Sequence, residues 1–254
     1  MGKSKFTLKT LEEIGKMKKA GELLASCHKQ IAAMIGPGVS TLEIDRFVEE
    51  YLGRNGAKPE QKGYQGYPYA TCASVNDEIC HGFPNNAPLN DGDIVTIDMV
   101  VNFEGWLADS AWTYTVGNVS EEVNHFLQVT KEALYKGIEK AVVGNKIGDI
   151  SYAVQTCAER NGFSVVRDFV GHSIGQVIHE EPVIPHFGPP NRGERIRQGM
   201  VFTIEPMINI GSHHVFLDAN GWTARTIDGS LSAQYEHTVA ITNEGPLILT
   251  EQLD

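Results

Sequence analysis

The stretch from Ile94 to Asp109 sets two carboxylates, Asp98 and Asp109, inside apolar β-rich runs joined at Asn102-Phe103-Glu104-Gly105. It reads as a hairpin with a two-residue loop. With Phe103 and Glu104 as the loop, the two acids stand directly opposite. With Glu104 and Gly105 they are diagonal neighbours. Either way they share a face, with Cβ atoms roughly 5–8 Å apart. Such a pair repels, and one pKa is driven up unless a cation sits between them. The later part of the chain offers a matching set: His172 flanked by glycines in Gly171–Gly175, His179 ahead of Glu180-Glu181-Pro182, and single acids Glu205 and Glu236 in apolar runs. A lone acid in an apolar run is usually a satisfied edge residue. Four of them with a glycine-flanked histidine form a ligand set. Their four negative charges are neutralised by two divalent cations, and oxygen-rich ligation with one imidazole suits Mn, Fe, Co or Zn. Two ions roughly 3.5–4 Å apart activate a bridging water and polarise a carbonyl together.

Helices and strands must bring these residues together. Thr10-Leu11-Glu12-Glu13 is a capping box, and apolar residues at helical spacing follow up to Ile35, before Gly36-Pro37-Gly38. Ser40 to Glu43 is a second box, opening a helix that closes between Gly53 and Gly56. A Gly- and Tyr-rich loop spans Gly63 to Tyr69, followed by a strand near Thr71–Val75 and a loop holding Cys80-His81-Gly82. The order then restarts. Ser120 caps a long helix expected to reach about Val143, and a shorter one is expected from Asp149 to Arg160. Strands are expected at 164–170, 201–209, 213–217, 222–227 and 231–242. Gly38 and Gly144, and the tripeptides Arg54-Asn55-Gly56 and Arg160-Asn161-Gly162, recur at one offset of 106 residues. The reading is an α+β chain, 1–254, forming a single catalytic domain of two similar halves, approximately 10–116 and 120–250, around a shared cleft. His172 and His179 lie seven apart, a spacing that a straight strand would put on opposite faces. Gly175 is the expected bend between them.

Composition narrows the class. The chain of 254 residues is 41% hydrophobic and 21% charged, ordinary for a globular protein. Its net charge of −11 argues against a partner held through phosphates, so no direct nucleic-acid role is expected. The start lacks a signal-peptide apolar region and no run reaches membrane-spanning length. Met1-Gly2 opens a myristoylation pattern, but Phe6 stands where Ser or Thr is required. Cys27, Cys72, Cys80 and Cys157 form no CxxC and read as reduced thiols, mostly core filler, in a cytoplasmic protein.

Together these stretches resemble the methionine aminopeptidases, within the pita-bread metallopeptidases. The matching segments are Gly63 to Pro68, Cys80 to Gly82, Thr96 to Asp98 with Ala108-Asp109, Gly171 to Gly175, His179 to Pro182, Phe202 to Pro206 and Tyr235 to Thr238. The likeness spans nearly the whole chain and is closest to the short bacterial type I form. It implies a pita-bread fold with pseudo-symmetric helix-helix-sheet halves and a central metal cleft. It implies that Asp98 chelates one ion, that Asp109 and Glu236 bridge both, and that His172 and Glu205 complete the second. Glu205 would also accept a proton from the attacking water, His179 would stabilise the developing oxyanion or hold the scissile peptide, and His81 would sit beside the substrate amide. Tyr64, Tyr67, Cys72 and Trp222 would wall a pocket for methionine, a flexible thioether. The implied partners are N-terminal Met peptides and nascent chains, with transient ribosome association, no membrane and a monomeric state.

Three residues depart from the family pattern: Ser173 where glycine is usual, Gln61 where cysteine is common, and Ile178 where phenylalanine is common. Ser173 adds a Cβ beside a ligand, so its φ must be one serine tolerates. A proline-directed peptidase shares the five ligands but usually carries a large extra N-terminal domain. A metal-free binding protein of the same fold would have lost ligands, and all five positions are filled.

Overall fold

Thr10 and Ser40 open the first two helices as capping boxes require. The Thr10 hydroxyl accepts from the Glu13 N–H while the Glu13 carboxylate accepts from the Thr10 N–H, and Ser40 with Glu43 repeats the exchange. The computed structural model describes residues 6–252; the Met1-Gly2 pair lies outside them. Helices α1 (Leu11–Met34) and α2 (Thr41–Arg54) precede β1 (Ala57–Pro59), a 3-10 turn at Tyr64–Gly66, β2 (Cys72–Val75), β3 (Glu78–Cys80), β4 (Ile94–Phe103) and β5 (Trp106–Thr115). Helices α3 (Glu121–Ile138) and α4 (Ile147–Arg160) then begin a second helix-helix-sheet half. It continues through β6 (Ser164–Val165), β7 (Gly171–Ser173), β8 (Glu180–Ile184), β9 (Val201–Ile204) and β10 (Met207–Asn209). Five more strands complete it: β11 (Val215–Leu217), β12 (Ala224–Thr226), β13 (Ser232–Gln234), β14 (His237–Thr242) and β15 (Gly245–Ile248).

The repeat seen in sequence is structural. Helices α2 and α4 are both 14 residues long and start and stop at the same offset of 106 residues. Each ends on an asparagine whose side-chain amide donates back four residues, Asn55 to Tyr51 O and Asn161 to Cys157 O, both at 2.8 Å. A glycine follows in the left-handed region, Gly56 at φ 72° and Gly162 at φ 84°.

Four sheets carry the strands. In the first, β5 lies along one edge of β4, and β2 and β1 share the other. The others run β15-β14-β9-β7-β8, β13-β10-β6 and β11-β12-β3. Alternation along β4 sends Val95, Ile97, Met99 and Val101 into a core under α1 and α2, leaving Asp98 on the opposite face. A second core under α3 and α4 gathers Phe126, Leu134, Ile150, Phe202 and Ile204. The helices therefore lie outside, and the free faces of the sheets meet at the centre. There, hydroxyls join the halves: Ser110 donates to Glu236 O at 3.0 Å, Thr113 to Gln234 O at 2.8 Å, and Thr238 to Asp109 O at 2.8 Å. Among the described residues no helix is long and apolar enough to cross a membrane, and the four cysteines are free.

Several boundaries differ from the sequence reading. Helix α3 stops at Ile138 rather than near Val143, because the chain tightens into three-residue turns after Gly137. A Cβ at Gly137 would sit 2.8 Å from Val154 of α4. Helix α4 begins two residues earlier than Asp149, whose carboxylate accepts from the Lys146 N–H at 2.8 Å. The expected strand 164–170 is regular only over Ser164–Val165, and those at 213–217 and 222–227 shorten to β11 and β12. The runs 201–209 and 231–242 are each broken in two, at Glu205-Pro206 and at Tyr235-Glu236. Strands β1, β3, β7, β8 and β15 are additional; β3 takes Cys80 out of the expected loop, its pairing with β12 extending the chain there, and β7 and β8 form a hairpin around the glycine-rich and proline-containing segments.

Candidate metal centre and active site

The hairpin register decides between the two sequence alternatives. Glu104 and Gly105 form the loop, at φ 53° and 82°, and Phe103 pairs with Trp106. Positive φ at both central residues is the type I′ signature that matches the twist of the flanking strands. Asp98 thus pairs with Ala111 and Asp109 with Val100, making the two acids diagonal neighbours on one face.

Glu205 and Glu236 occupy the breaks where two paired strands leave one sheet for another. Strand β9 pairs with β14 and β10 with β13, so both chains switch sheets side by side. The switch frees backbone groups for other partners. The Glu236 N–H donates to Ala111 O at 2.9 Å, tying it beside the cross-strand partner of Asp98. The Glu205 N–H donates to His186 Nε2 at 3.0 Å. The Thr203 hydroxyl donates to Glu205 Oε1 at 2.7 Å, and Gln234 Nε2 donates to Oε2 at 3.4 Å. Burial holds the His186 pKa down to about 3, which keeps the ring a neutral acceptor.

His172 is set by its own strand. Its N–H donates to the Thr203 hydroxyl at 2.9 Å, and its Nδ1 lies 3.2 Å from Ser173 O. A carbonyl only accepts, so Nδ1 carries the proton and Nε2 presents its lone pair, the arrangement metal-binding histidines adopt. Nε2 faces Asp109 Oδ2 at 3.6 Å and Glu205 Oε1 at 3.7 Å. Those gaps exceed a hydrogen bond and suit two ligands of one ion, each ~2.0–2.2 Å from it. Ser173 sits in an extended strand, where its Cβ is tolerated, and its hydroxyl donates to Pro182 O at 2.9 Å.

The electrostatics point the same way. Burial, then the charge of Asp109, pushes Asp98 well above the carboxylate range, and burial raises Asp109 to about 7. Burial raises Glu205 to about 8 and Glu236 well up, Asp109 adding to the latter. Asp109 Oδ1 and Glu236 Oε1 are buried with no hydrogen-bond partner. Buried acceptors without donors are costly. Atoms of Asp109, His172 and Glu236 lie within 4.8 Å of one another, the spacing of a cation site. The donor set therefore fits divalent metal.

All eleven side chains singled out in sequence line one cavity of about 250 Å³. A wider hollow of about 720 Å³ between α3 and α4 lies on the outer face, away from this cluster. The Tyr64 hydroxyl and His179 Nδ1 are 2.8 Å apart, and the His179 ring packs 4.2 Å from that of His172. The β7–β8 hairpin brings the two histidines together, with the expected bend beginning at Gly175. Its φ is not left-handed; a Cβ there would lie 2.4 Å from Glu180 Oε1 and 2.7 Å from Lys9 Cε. The chain bends over residues 175–178, and the close approach at Gly175 leaves no room for a side chain. His179 is exposed at the mouth; burial of its inner edge, with His172 and His81 nearby, lowers its pKa to about 4. Burial brings His81, at φ 56°, to about 4 as well.

Tyr67 is locked, its hydroxyl donating to Thr71 O at 3.0 Å and Gly82 O at 2.9 Å, with its ring edge-on to Trp222. Burial, reinforced by Asp98, pushes the Cys72 thiol far up, so it is a neutral, apolar wall. Gln61 Nε2 donates to Asp98 O at 3.1 Å, while its Oε1 accepts from the Val100 N–H, so it braces β4 beside Asp98. Ile178 packs with Ile14, Ile174 and Val201 as its side chain lines the cavity. The sequence reading missed Phe169 and Met207 in the wall and the orienting hydroxyls of Thr203 and Thr238. The hydroxyls did carry a signal: each lies two residues from an acid, on the same face of an extended chain.

Residues 15–243 match metallopeptidase family M24. The chain is 48% identical over 242 residues to "Methionine aminopeptidase 1" of Bacillus subtilis, covering 95% of this chain and 98% of the relative. It is 49% identical over 243 residues to the methionine aminopeptidase of Clostridium perfringens, with 96% and 98% covered. The crystal structure of methionine aminopeptidase from Rickettsia prowazekii superposes with a TM-score of 0.96 at 41% identity, covering 97% of this chain and 100% of that one. The chain belongs to metallopeptidase family M24, and its fold is the pita-bread fold.

Proposed function

We propose that this chain is a metal-dependent methionine aminopeptidase, hydrolysing the first peptide bond of peptides and nascent proteins that begin with methionine, preferably before a small residue. The observation that carries the reading is the convergence of Asp98, Asp109, His172, Glu205 and Glu236, two with orphaned buried oxygens, on a cavity walled by Tyr67, Cys72 and Trp222. In this reading Asp98 would hold one of two ions, His172 and Glu205 would hold the other, and Asp109 and Glu236 would serve both. The oxygen-rich set suits Mn, Fe, Co or Zn. Divalent ions held there supply Lewis acidity, polarising a carbonyl and making water acidic at neutral pH.

The chain's own groups do the rest. Glu205, oriented by Thr203 and Gln234, accepts the proton of the attacking water. A Tyr64 hydroxyl that donates to His179 Nδ1 leaves Nε2–H to donate to the carbonyl oxygen as it gains charge. His179 and His81, with pKa values near 4, are neutral donors at pH 7. His81 stands beside the scissile amide, and the thioether rests among Tyr67, Cys72 and Trp222.

Ligands from both halves support reading 1–254 as one catalytic domain. We extend the reading to a cytoplasmic monomer, in keeping with its free thiols, that meets nascent chains by transient ribosome association. The test is the identity of the released residue. Metal-loaded protein should release methionine from Met-Gly-Met-Met and leave an X-Pro peptide intact. Preferential release of a residue preceding proline would refute the assignment.

A further inference from the structure

Beyond His81 and Trp222 the catalytic cavity continues into a second hollow of about 460 Å³. This groove lies between β11 and residues 168–169, and it shares His81, Phe169 and Trp222 with the catalytic cavity. Its outer wall includes apolar side chains held out to solvent, Phe216 at 45% exposure and Leu217 at 57%. Single exposed apolar residues are ordinary. Consecutive on an extended strand, the two side chains flank the open edge of β11 on opposite faces, where alternate side chains of an added strand would meet them.

The backbone carrying them is firmly braced. Arg225 on β12 donates to Asp218 Oδ2 at 2.8 Å, Asp77 Oδ1 at 2.9 Å and Glu78 Oε1 at 2.6 Å, tying the β11–β12 turn to β3. Inside that turn, Asn220 Oδ1 accepts from the N–H groups of Trp222 and Thr223 at 2.9 and 3.0 Å. The Thr223 hydroxyl donates to His81 O at 3.4 Å, joining the shelf to the catalytic cavity. Among the described strands β11 pairs with β12 alone, as the edge of its sheet. An extended peptide adds to such an edge through main-chain hydrogen bonds whatever its sequence, while alternate side chains settle in pockets.

We propose that this groove binds the third and following residues of the substrate, extended along β11, and favours apolar side chains there. The proposal rests on the aminopeptidase reading, which puts the substrate's amino end in the catalytic cavity. Main-chain pairing suits an enzyme whose substrates share little beyond their first residue. Phe216 and Leu217 then confer a preference on top of it.

The test compares methionine release from Met-Gly-Ser-Ser and Met-Gly-Leu-Phe by the wild type and by a Phe216→Ser, Leu217→Ser double variant. Both residues are exposed, so the variant should keep the wild-type melting temperature. Wild type should cleave Met-Gly-Leu-Phe with a kcat/KM roughly five- to tenfold higher, through KM, as expected for partial burial of two apolar side chains. The variant should lose most of that gain while handling Met-Gly-Ser-Ser as wild type does. Equal kcat/KM for the two peptides in wild type, or a gain that survives the double substitution, would overturn the proposal. A wild-type dimer that the variant dissociates would make the groove a subunit contact and would overturn it equally. Absence of methionine release from every peptide would refute the aminopeptidase reading itself, and the proposal with it.

Discussion

Stripping the metal should destabilise this protein by an amount that grows as pH rises from 5 to 8. The magnitude follows from the buried carboxyls. In the folded, metal-stripped chain Asp109 keeps its proton to about 7, against 3.8 for the ordinary group, and Glu205 to about 8, against 4.5. Between those values the unfolded chain binds fewer protons than the folded one, so folding stability falls as pH rises. Below the ordinary carboxyl value the penalty is absent, and above pH 8 it is complete. For Asp109 the shift of about three pH units corresponds to roughly 4 kcal/mol. The four carboxyls titrate together, so their penalties do not add. In a chain of this length that is a melting-temperature deficit of about 8–16 °C. Bound metal needs the carboxylates ionised and removes the deficit. The assay is differential scanning calorimetry of stripped and Mn²⁺-loaded protein at four pH values from 5 to 8. The difference in melting temperature cancels effects of net charge common to both forms. An increment that stays constant or shrinks as pH rises would refute the reasoning.

Four substitutions probe the individual roles of ligands and catalytic groups, and a fifth probes a buried ion pair. Asp109→Ala and Glu236→Ala should each cost more than about 100-fold in activity along with metal content, since each removes a proposed bridge; full activity in either removes that role. His172→Ala should weaken metal binding, whereas His179→Ala should keep its metal and lose roughly 10²–10³ in kcat with a smaller change in KM. The opposite pattern, read by metal analysis and kinetics, would mean the two histidines are exchanged. Lys9, whose ammonium is buried against Glu180, should cost about 3 kcal/mol in urea unfolding when replaced in Lys9→Met, because the partner carboxylate is left unpaired. An unchanged urea midpoint would show that the pair contributes nothing.

The parts of this fold that were legible in sequence are those governed by short-range chemistry. Capping boxes at Thr10 and Ser40 announced two helix starts because the reciprocal hydrogen bonds need only four residues. The Asp98–Asp109 hairpin was legible to its parity, since the side-chain period is two, but its register depended on Glu104 adopting positive φ, for which a glycine-free position gives little warning. The four acids of the proposed ligand set stood out because acids in apolar runs are expensive. The sheet switches at Glu205 and Glu236 did not, as the apolar pattern runs through both breaks. Pro206, which has no N–H to donate, was the one sign of the first. The β7–β8 hairpin was hidden by its glycines and Pro182. Gly175 was legible as the bend between the two histidines, but the close approach of Glu180 and Lys9 that also demands glycine there, remote in sequence or across a hairpin, cannot be read from local composition.

The arrangement of ions among the five side chains is the centre of the account. The most direct measurement is an anomalous-difference map from crystals of the Mn²⁺- or Co²⁺-loaded protein. Two peaks about 3.5–4 Å apart are expected, with Asp109 and Glu236 contacting both, Asp98 one, and His172 and Glu205 the other. A map with peaks elsewhere, or with Asp109 and Glu236 contacting no ion, would contradict this arrangement.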